Sequence, residues 1–163
     1  MIFVTVGSRK YPFDRLFIKL DELYEKGFLT DSIFAQIGTS TYKPIHYEYK
    51  NFISNEEFDE KVKEANIVVS HGASGSIMKA LNAGKPVITV TRLEKYGEHI
   101  NDHQIQNNKA FADNGYVIPV YEMDELETAF KNIYEESKTL KPWENKDPMA
   151  IVNMIDHFIK ENW

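Results

Sequence analysis

The sequence has no cysteine among its 163 residues, which excludes a disulfide scaffold and a thiolate metal site. It has no run of lysine or arginine and a formal net charge of −6, so a nucleic-acid backbone is not expected as a partner. No apolar run approaches the roughly 20 residues that a membrane-spanning helix needs. The first seven residues lack the basic region of a signal peptide and have the character of a strand. These features predict a single cytoplasmic domain over residues 1–163.

Several motifs of nucleotide-binding and hydrolytic enzymes are also missing. The chain has no Gly-Lys-Ser/Thr phosphate loop and no Gly-x-Ser-x-Gly nucleophile elbow. A dinucleotide-binding fold would have Gly-x-Gly-x-x-Gly after its first strand, where this chain has Gly7-Ser8-Arg-Lys-Tyr-Pro. No Asp-x-Asp pair is present to hold a nucleotide sugar through a divalent metal. His99 and His103 have a helical spacing, but His99 is expected to precede the helix, so no metal site is predicted.

Strand and helix patterns alternate along the chain, with β-branched runs for the strands and apolar residues at helical spacing between them. Strands are predicted at residues 2–6, 33–37, about 47–52 and 116–120. Two more are predicted between them, one that begins at residue 67 and one that ends at residue 90. Three helices are predicted from their end signals: one that ends at Gly27, one that begins with a capping box of Ser54 and Glu57, and one that ends at Gly84. Three more are predicted at residues 102–114, from residue 124 onward, and at about 147–161. This alternation predicts an α/β fold, a Rossmann-like parallel sheet with helices on both faces.

The most informative stretch is a loop of small residues that joins an apolar strand to a short helix. Its members are Gly72, Ala73, Ser74, Gly75 and Ser76. Such a loop lets a ligand approach the backbone, and the helix turns its unpaired N–H groups and positive end toward that ligand. The expected guest is a phosphate or diphosphate, to which Ser74 and Ser76 can add hydroxyl donors. The alternative is that the small residues only permit tight packing of strand and helix.

In a parallel sheet, ligands bind beyond the carboxyl ends of the strands. The loops expected at that edge are residues 7–12, 38–44, 70–76 and 91–102. The loop at 38–44 is rich in Ser and Thr.

Four motifs occur in order along the chain. They are Phe3-Val-Thr-Val-Gly7 with Pro12-Phe-Asp-Arg15, Ser70-His-Gly-Ala-Ser-Gly-Ser76, Gly84-Lys-Pro86 and Tyr96-Gly-Glu-His-Ile-Asn-Asp-His-Gln104. Together they resemble the donor-binding, carboxyl-terminal half of glycosyltransferase family 28, above all the subunits in which that half is a separate chain. The resemblance covers nearly the whole chain. It implies the C-terminal half of a GT-B glycosyltransferase, a UDP-sugar donor, and inversion at the anomeric carbon without metal or other cofactor.

The resemblance implies roles around the diphosphate and the ribose. The diphosphate would lie on residues 72–76, where the helix N-terminus replaces a metal as the charge stabiliser. The other substrate-binding residues on this side are Gly7, Ser8 and His71. The family usually has a Glu that accepts hydrogen bonds from the ribose at the position of Lys79, and an ammonium can only donate. Either the ribose is held otherwise, with Glu98 as a candidate substitute, or the donor site is altered, or this chain has weak activity.

Further roles concern the base and the sugar. Main-chain groups of Phe52 and Ile53 would contact the uracil, while their side chains are expected in the core. Gln104 would hold hydroxyls of the donor sugar, or would be an exposed polar residue of the first helical turn. His103, which follows Asp102, would stabilise the leaving group when protonated, or would cap the helix.

The chain has no remaining His–carboxylate constellation that could act as the base for the acceptor. The resemblance therefore implies a partner, a membrane-associated acceptor-binding subunit that supplies this base and recruits the chain to the inner face of the membrane. The acceptor would be a polyprenyl-linked sugar in surface polysaccharide synthesis, such as capsule or exopolysaccharide. Two alternatives are a non-catalytic nucleotide-sugar-binding or regulatory subunit and a relative of the UDP-GlcNAc 2-epimerases.

The last predicted helix, within residues 147–163, carries an apolar stripe. Its members are Ile151, Ile155, Phe158 and Ile159, and the chain ends in Trp163. The stripe either closes the core of the domain or, at Phe158 and Trp163, meets the partner subunit.

Overall fold

The computed structural model describes residues 1–7, 12–71, 74–91, 96, 103–135 and 140. Strands and helices alternate within these residues. The strands are β1 (Ile2–Thr5), β2 (Ile33–Gln36), β3 (Glu48–Lys50), β4 (Ile67–Ser70), β5 (Val87–Val90) and β6 (Ile118–Val120). The helices are α1 (Asp14–Glu25), α2 (Asn55–Glu64), α3 (Ser74–Asn82), α4 (His103–Asp113) and α5 (Asp124–Tyr134). The helix predicted at 147–161 lies outside the described residues.

The described strands form one parallel sheet in the order β3-β2-β1-β4-β5-β6. The chain fills one half of the sheet outward from β1, then returns to the centre at β4 and fills the other half. This order is that of doubly wound nucleotide-binding folds, whose ligand crevice lies where the strand order reverses. The predicted Rossmann-like sheet is confirmed, and its switch point lies between β1 and β4.

Side chains alternate between the two faces of the sheet and supply two cores. One face packs against α1 and α5, and its central row is Val4, Ala35, Val69 and Ile88. The opposite face packs against α2, α3 and α4, and its central row is Phe3, Phe34, Val68 and Val87. Helices therefore cover both faces, as the apolar strands predicted.

The helix ends largely follow the sequence signals. Ser54 caps α2, and its side chain accepts a hydrogen bond from the Glu57 amide at 3.1 Å. The predicted strand at 116–120 is shorter, because Tyr116 is still part of the end of α4. Its amide donates to the Phe111 carbonyl at 3.1 Å, with Gly115 in the left-handed region at φ +78°, and β6 begins only at Ile118.

The loop at residues 38–44 follows β2, as predicted, and is held onto the start of α1. The Phe13 amide donates to Ser40 Oγ at 2.9 Å. The Asp14 carboxylate accepts from the Thr41 amide at 2.8 Å and from the Thr41 hydroxyl at 2.6 Å. The side chains of Ser40 and Thr41 are thus bonded within the fold.

A second carboxylate of α1 holds the continuation of this loop. Asp21, which is buried, accepts from the Tyr42 hydroxyl and from the amides of Ile45 and His46 at 2.9 and 3.0 Å. Asp14 and Asp21 are seven residues apart, which places them on the same side of the helix two turns from each other. The two carboxylates therefore fix the path of the chain between β2 and β3.

The Tyr42–Asp21 hydrogen bond predicts a loss of stability at alkaline pH. It raises the pKa of Tyr42 to about 12 from an ordinary value of 10.0. Because the folded chain holds this proton more tightly, the stabilisation is complete below pH 10 and is lost as the pH rises toward 12. In urea titrations we expect Tyr42→Phe to be less stable than wild type at pH 8 and to lose less stability between pH 10 and pH 12. An equally steep loss in both proteins would contradict this role of the hydroxyl.

Candidate functional site

The candidate site lies at the switch point, where the two central strands end side by side. Thr5 and Ser70 are paired in register as the last residues of β1 and β4. The chain continues into Gly7 after β1 and into His71 after β4. Of the small-residue loop predicted to bind an anion, residues 74–76 are described, and they form the start of α3 three residues after His71.

Gly7 and His71 lie in direct contact. Gly7 has φ +70°, a backbone conformation that side chains disfavour, and a Cβ at this position would lie 2.8 Å from Nε2 and 2.9 Å from Cε1 of His71. His71 is buried, so its ring has little room to move away. The Gly7 amide donates to Thr5 Oγ1 at 3.2 Å. Glycine is thus required at residue 7 by both its conformation and the imidazole beside it.

A row of buried polar side chains crosses the sheet at the same level. It consists of Gln36, Thr5, Ser70 and Thr89, which are register partners on four adjacent strands. By alternation from the central apolar row, these side chains lie on the face covered by α3. Thr5 Oγ1 donates to Gln36 Oε1 at 2.8 Å, whereas Ser70 Oγ and Thr89 Oγ1 have no hydrogen-bond partner among the described residues. The carboxyl edge of the sheet thus has buried polar side chains where the central part of the sheet has apolar ones.

The first turn of α3 is accessible. The helix begins at Ser74, and Gly75 is exposed, with nothing within 4 Å of the place where its Cβ would be. The amides of a first helical turn have no partner within the helix, and the helix dipole adds positive potential there. An open first turn at the end of β4 is therefore suited to an anion.

The side chain of Lys79 contacts two residues of α2. Its Nζ lies 3.0 Å from Oδ1 of Asp59 on α2 and 5.0 Å from the centroid of the Phe58 ring. Both charged side chains are about half exposed or more, so the pair contributes little to stability. Asp59 could not be predicted as this partner, because nothing in the helical pattern of α2 distinguishes it from the other charged residues on that helix.

The side chains of Phe52 and Ile53 differ from each other. Both were expected in the core, and for Phe52 that expectation is wrong, since its side chain is 51 % exposed. Ile53 packs against the core that α2, α3 and α4 share. Phe52 follows β3 and is not covered because it lies at the outer strand of the sheet. Its ring therefore presents an exposed aromatic surface at the carboxyl edge.

The remaining predicted site residues are described only in part. Five of them lie outside the described residues, namely Ser8, Gly72, Ala73, Glu98 and Asp102. His103 and Gln104 form the start of α4, as the helix predicted at 102–114 required. Ser76 is partly buried in the first turn of α3.

A separate cavity of about 330 Å³ lies between β6 and α5. Its lining includes Pro119, Asp124, Glu125, Thr128 and Asn132. Two carboxylates in the lining disfavour a diphosphate, and the cavity lies away from the switch point. It is therefore not assigned to the candidate site.

Two absences among the described residues bear on the type of site. They contain no cluster of three or more His, Asp or Glu side chains placed to hold one metal ion. Their helices are too short or too polar to cross a bilayer.

Residues 1–157 match the glycosyltransferase family 28 C-terminal domain, and the chain belongs to this family. The UDP-N-acetylglucosamine transferase subunit ALG13 of Homo sapiens is 28 % identical over 127 residues, which are 71 % of this chain and 10 % of that protein. The UDP-N-acetylglucosamine–N-acetylmuramyl-(pentapeptide) pyrophosphoryl-undecaprenol N-acetylglucosamine transferase of Prochlorococcus marinus (strain MIT 9312) is 24 % identical over 151 residues. Those residues are 90 % of this chain and 40 % of the cyanobacterial protein, so the chain spans less than half of either relative.

Solved structures share the fold. The solution structure of ALG13 superposes with a TM-score of 0.62 at 19 % identity, covering 94 % of each chain. The UDP-GlcNAc 2-epimerase of Neisseria meningitidis, bound to UDP-GlcNAc, superposes with a TM-score of 0.59 at 15 % identity, covering 98 % of this chain and 42 % of the epimerase. The fold is equivalent to the C-terminal half of a GT-B glycosyltransferase, as the resemblance implied.

The Gly7–His71 contact predicts that two glycines with similar backbones respond differently to alanine. Gly7 and Gly27 have φ +70° and +81°, but a Cβ on Gly27 would meet nothing within 4 Å. Both variants incur about 1–2 kcal/mol of backbone strain, and only Gly7→Ala adds about 1–3 kcal/mol from overpacking. We expect urea titrations to show that Gly7→Ala is less stable than Gly27→Ala. Adding His71→Ala to Gly7→Ala should recover part of this difference in the free energy of unfolding. Equal losses for the two glycines would contradict a rigid contact.

Proposed function

We propose that this chain is the donor-binding catalytic subunit of a two-component, metal-independent, inverting glycosyltransferase. It would move a hexose from a UDP-sugar to a polyprenyl-linked acceptor in surface polysaccharide synthesis. The observation that carries this proposal is the open start of α3 at the switch point, beside the Gly7–His71 contact, in a chain of glycosyltransferase family 28. The glycosyltransferase relatives support the reaction class.

The chemistry requires that negative charge on the departing UDP be stabilised. The first turn of α3 offers unpaired amides and the equivalent of about half a positive charge. Such preorganised donors strengthen their contacts as the charge develops, which is how a helix N-terminus can replace a metal ion. The small side chain of Gly75 leaves the backbone accessible for these contacts.

The base and the sugar of the donor would lie on opposite sides of the diphosphate. Phe52 lies beyond β3 and offers an exposed ring, with the main chain of Phe52 and Ile53 as the proposed contacts to uracil. The start of α4, with His103 and Gln104, follows β5 on the other side. Gln104 would bind sugar hydroxyls, and a protonated His103 would stabilise the leaving group.

The acceptor and its base are assigned to a second polypeptide. The human relative is named as a transferase subunit, and the cyanobacterial relative acts on a pyrophosphoryl-undecaprenol substrate. These names support a partner subunit and a polyprenyl-linked acceptor. The partner would recruit the chain to the inner face of the membrane and would deprotonate the acceptor hydroxyl.

A second candidate function is a non-catalytic nucleotide-sugar-binding subunit. The observation in its favour is Lys79, whose ammonium is bound to Asp59 and cannot accept the hydrogen bonds of ribose hydroxyls. A relationship to the UDP-GlcNAc 2-epimerases is supported only by the shared fold. Activity with a partner subunit would decide between the first two functions.

Titration of the chain with UDP tests the site. We expect wild type to bind UDP in excess EDTA, because backbone amides rather than a cation hold the diphosphate. Gly75→Val should lower the affinity at least about tenfold, or ~1.4 kcal/mol, because its branched side chain covers the first turn of α3. Calorimetry measures both affinities, and circular dichroism checks that the variant is folded.

Gly75→Ala serves as the matched control. It adds one methyl group at the same place and should weaken binding less than Gly75→Val does. A folded Gly75→Val protein with wild-type affinity, or a strict Mg²⁺ or Mn²⁺ requirement in wild type, would show that the diphosphate assignment is wrong.

The Lys79–Asp59 pair yields a test of how ribose is held. Lys79→Glu alone would place two carboxylates beside each other, so the charge-swapped variant Asp59→Lys with Lys79→Glu is the informative one. It keeps the ion pair and gives α3 a side chain that accepts hydrogen bonds. We expect UDP to bind up to about tenfold more tightly than to wild type, the gain of one charged hydrogen bond.

The control for that experiment is Asp59→Asn, which removes the negative charge and leaves Lys79 in place. It should leave the affinity for UDP within about twofold of wild type. Unchanged or weaker binding by the charge-swapped variant would mean that this chain holds ribose by other groups.

A further inference from the structure

Arg15 connects α1 to the half of the sheet farthest from it in sequence. Its Nη1 donates to the carbonyl oxygen of Tyr121 at 3.0 Å, and its Nη2 donates to the carbonyl oxygen of Thr91 at 2.9 Å. Tyr121 and Thr91 are the first residues after β6 and β5. A planar guanidinium presents its N–H groups in a fixed fork, so one side chain holds two adjacent strand ends.

The same guanidinium lies against Tyr96, the single described residue between Thr91 and the start of α4. It is 4.7 Å from the centroid of the Tyr96 ring, a distance typical of a cation–π contact. The Tyr96 hydroxyl donates to Glu122 Oε2 at 2.8 Å. Tyr96 is therefore fixed at its ring by Arg15 and at its hydroxyl by the residue that follows Tyr121.

These contacts lie beside the proposed donor site. β5 is the neighbour of β4, and paired strands are about 4.8 Å apart. A diphosphate at the start of α3 would thus lie at the end of the strand that is adjacent to β5. The exposed ring of Phe52 is in the other direction, beyond β3, and suits the base. The part of the donor on the β5 side is then its sugar.

We infer that Arg15 is a positioning residue for the sugar of the donor. By holding the Thr91 carbonyl and the Tyr96 ring, it fixes the end of β5 and the aromatic surface against which the sugar would lie. This inference rests on the donor-binding function proposed above. It requires no contact between Arg15 and the donor.

A positioning role and a merely structural role predict different affinities. If Arg15 only stabilised the fold, its loss would weaken UDP and UDP-sugar binding alike. If it positions the sugar side, UDP affinity is kept and the additional contacts of the sugar are lost. Arg15→Lys is the discriminating variant, because it keeps the charge but a single ammonium replaces the fork.

The experiment measures, by calorimetry, the affinities of the purified chain for UDP and for UDP-N-acetylglucosamine, UDP-glucose and UDP-galactose. The UDP-sugar that wild type binds most tightly is used for comparison. We expect Arg15→Lys to bind UDP within about twofold of wild type and to bind this UDP-sugar at least about tenfold more weakly. Hydrogen exchange should become faster in the peptide that contains Tyr96.

Two further variants sharpen the result. Tyr96→Phe keeps the ring on Arg15 and loses only the bond to Glu122, so its UDP-sugar affinity should fall less than that of Arg15→Lys. Lys26→Ala removes a different contact near α1, the 2.7 Å ion pair of Lys26, at the end of α1, with Glu127 of α5, and should leave the ratio of the two affinities unchanged.

The outcomes separate this inference from the function on which it rests. If Arg15→Lys leaves the ratio of the UDP and UDP-sugar affinities unchanged, whether both affinities fall equally or neither falls, the positioning role is overturned while the donor site stands. Failure of wild type to bind UDP or any of the three UDP-sugars would overturn the donor-binding function, and the inference with it.

Discussion

The contact between Gly7 and the imidazole of His71 sets the geometry of the carboxyl edge. β1 and β4 are the central pair of the sheet, and the chain leaves them toward opposite halves of the fold. A side chain at residue 7 would push His71 away, and with it the start of the loop that leads into α3. Thr5 supports the arrangement by accepting from the Gly7 amide and donating to Gln36. The crevice at the switch point therefore depends on the absence of one Cβ.

Electrostatics favour the backbone over side chains as the source of positive charge in this crevice. The chain carries a net charge of −6, and two of its cations near the edge are already engaged. Lys79 is paired with Asp59, and Arg15 is bonded to two carbonyl groups. The dipole of α3 and its first amides do not have such competing partners within the helix. Of the groups that the described part of the chain offers to an anion at this place, the main-chain amides of α3 are therefore the ones without a competing partner within the helix.

Much of the fold could be predicted from local sequence signals. The order of elements, the capping by Ser54 and the parallel sheet follow from short-range patterns, and the structure confirms them. The hydrogen bonds that hold the loop at 38–44 could not be predicted, because Asp14, the partner of Thr41, lies 27 residues earlier in the chain. Phe52 was predicted in the core from its apolar residue type. It is exposed because β3 is an outer strand of the sheet, and the residue type does not indicate that position. Arg15 reaches partners 76 and 106 residues away, and no local pattern indicates such contacts.

The first turn of α1 joins the two halves of the sheet across the switch point. Asp14 holds the loop after β2 on one side, and the adjacent Arg15 holds the ends of β5 and β6 on the other. Neighbouring residues on a helix differ in direction by about 100°, so two consecutive side chains can reach opposite flanks. The two strand groups that flank the crevice are thereby tied to one rigid element. A ligand that spans from β3 to β5 would meet surfaces whose separation is fixed before it binds, which lowers the entropic cost of binding.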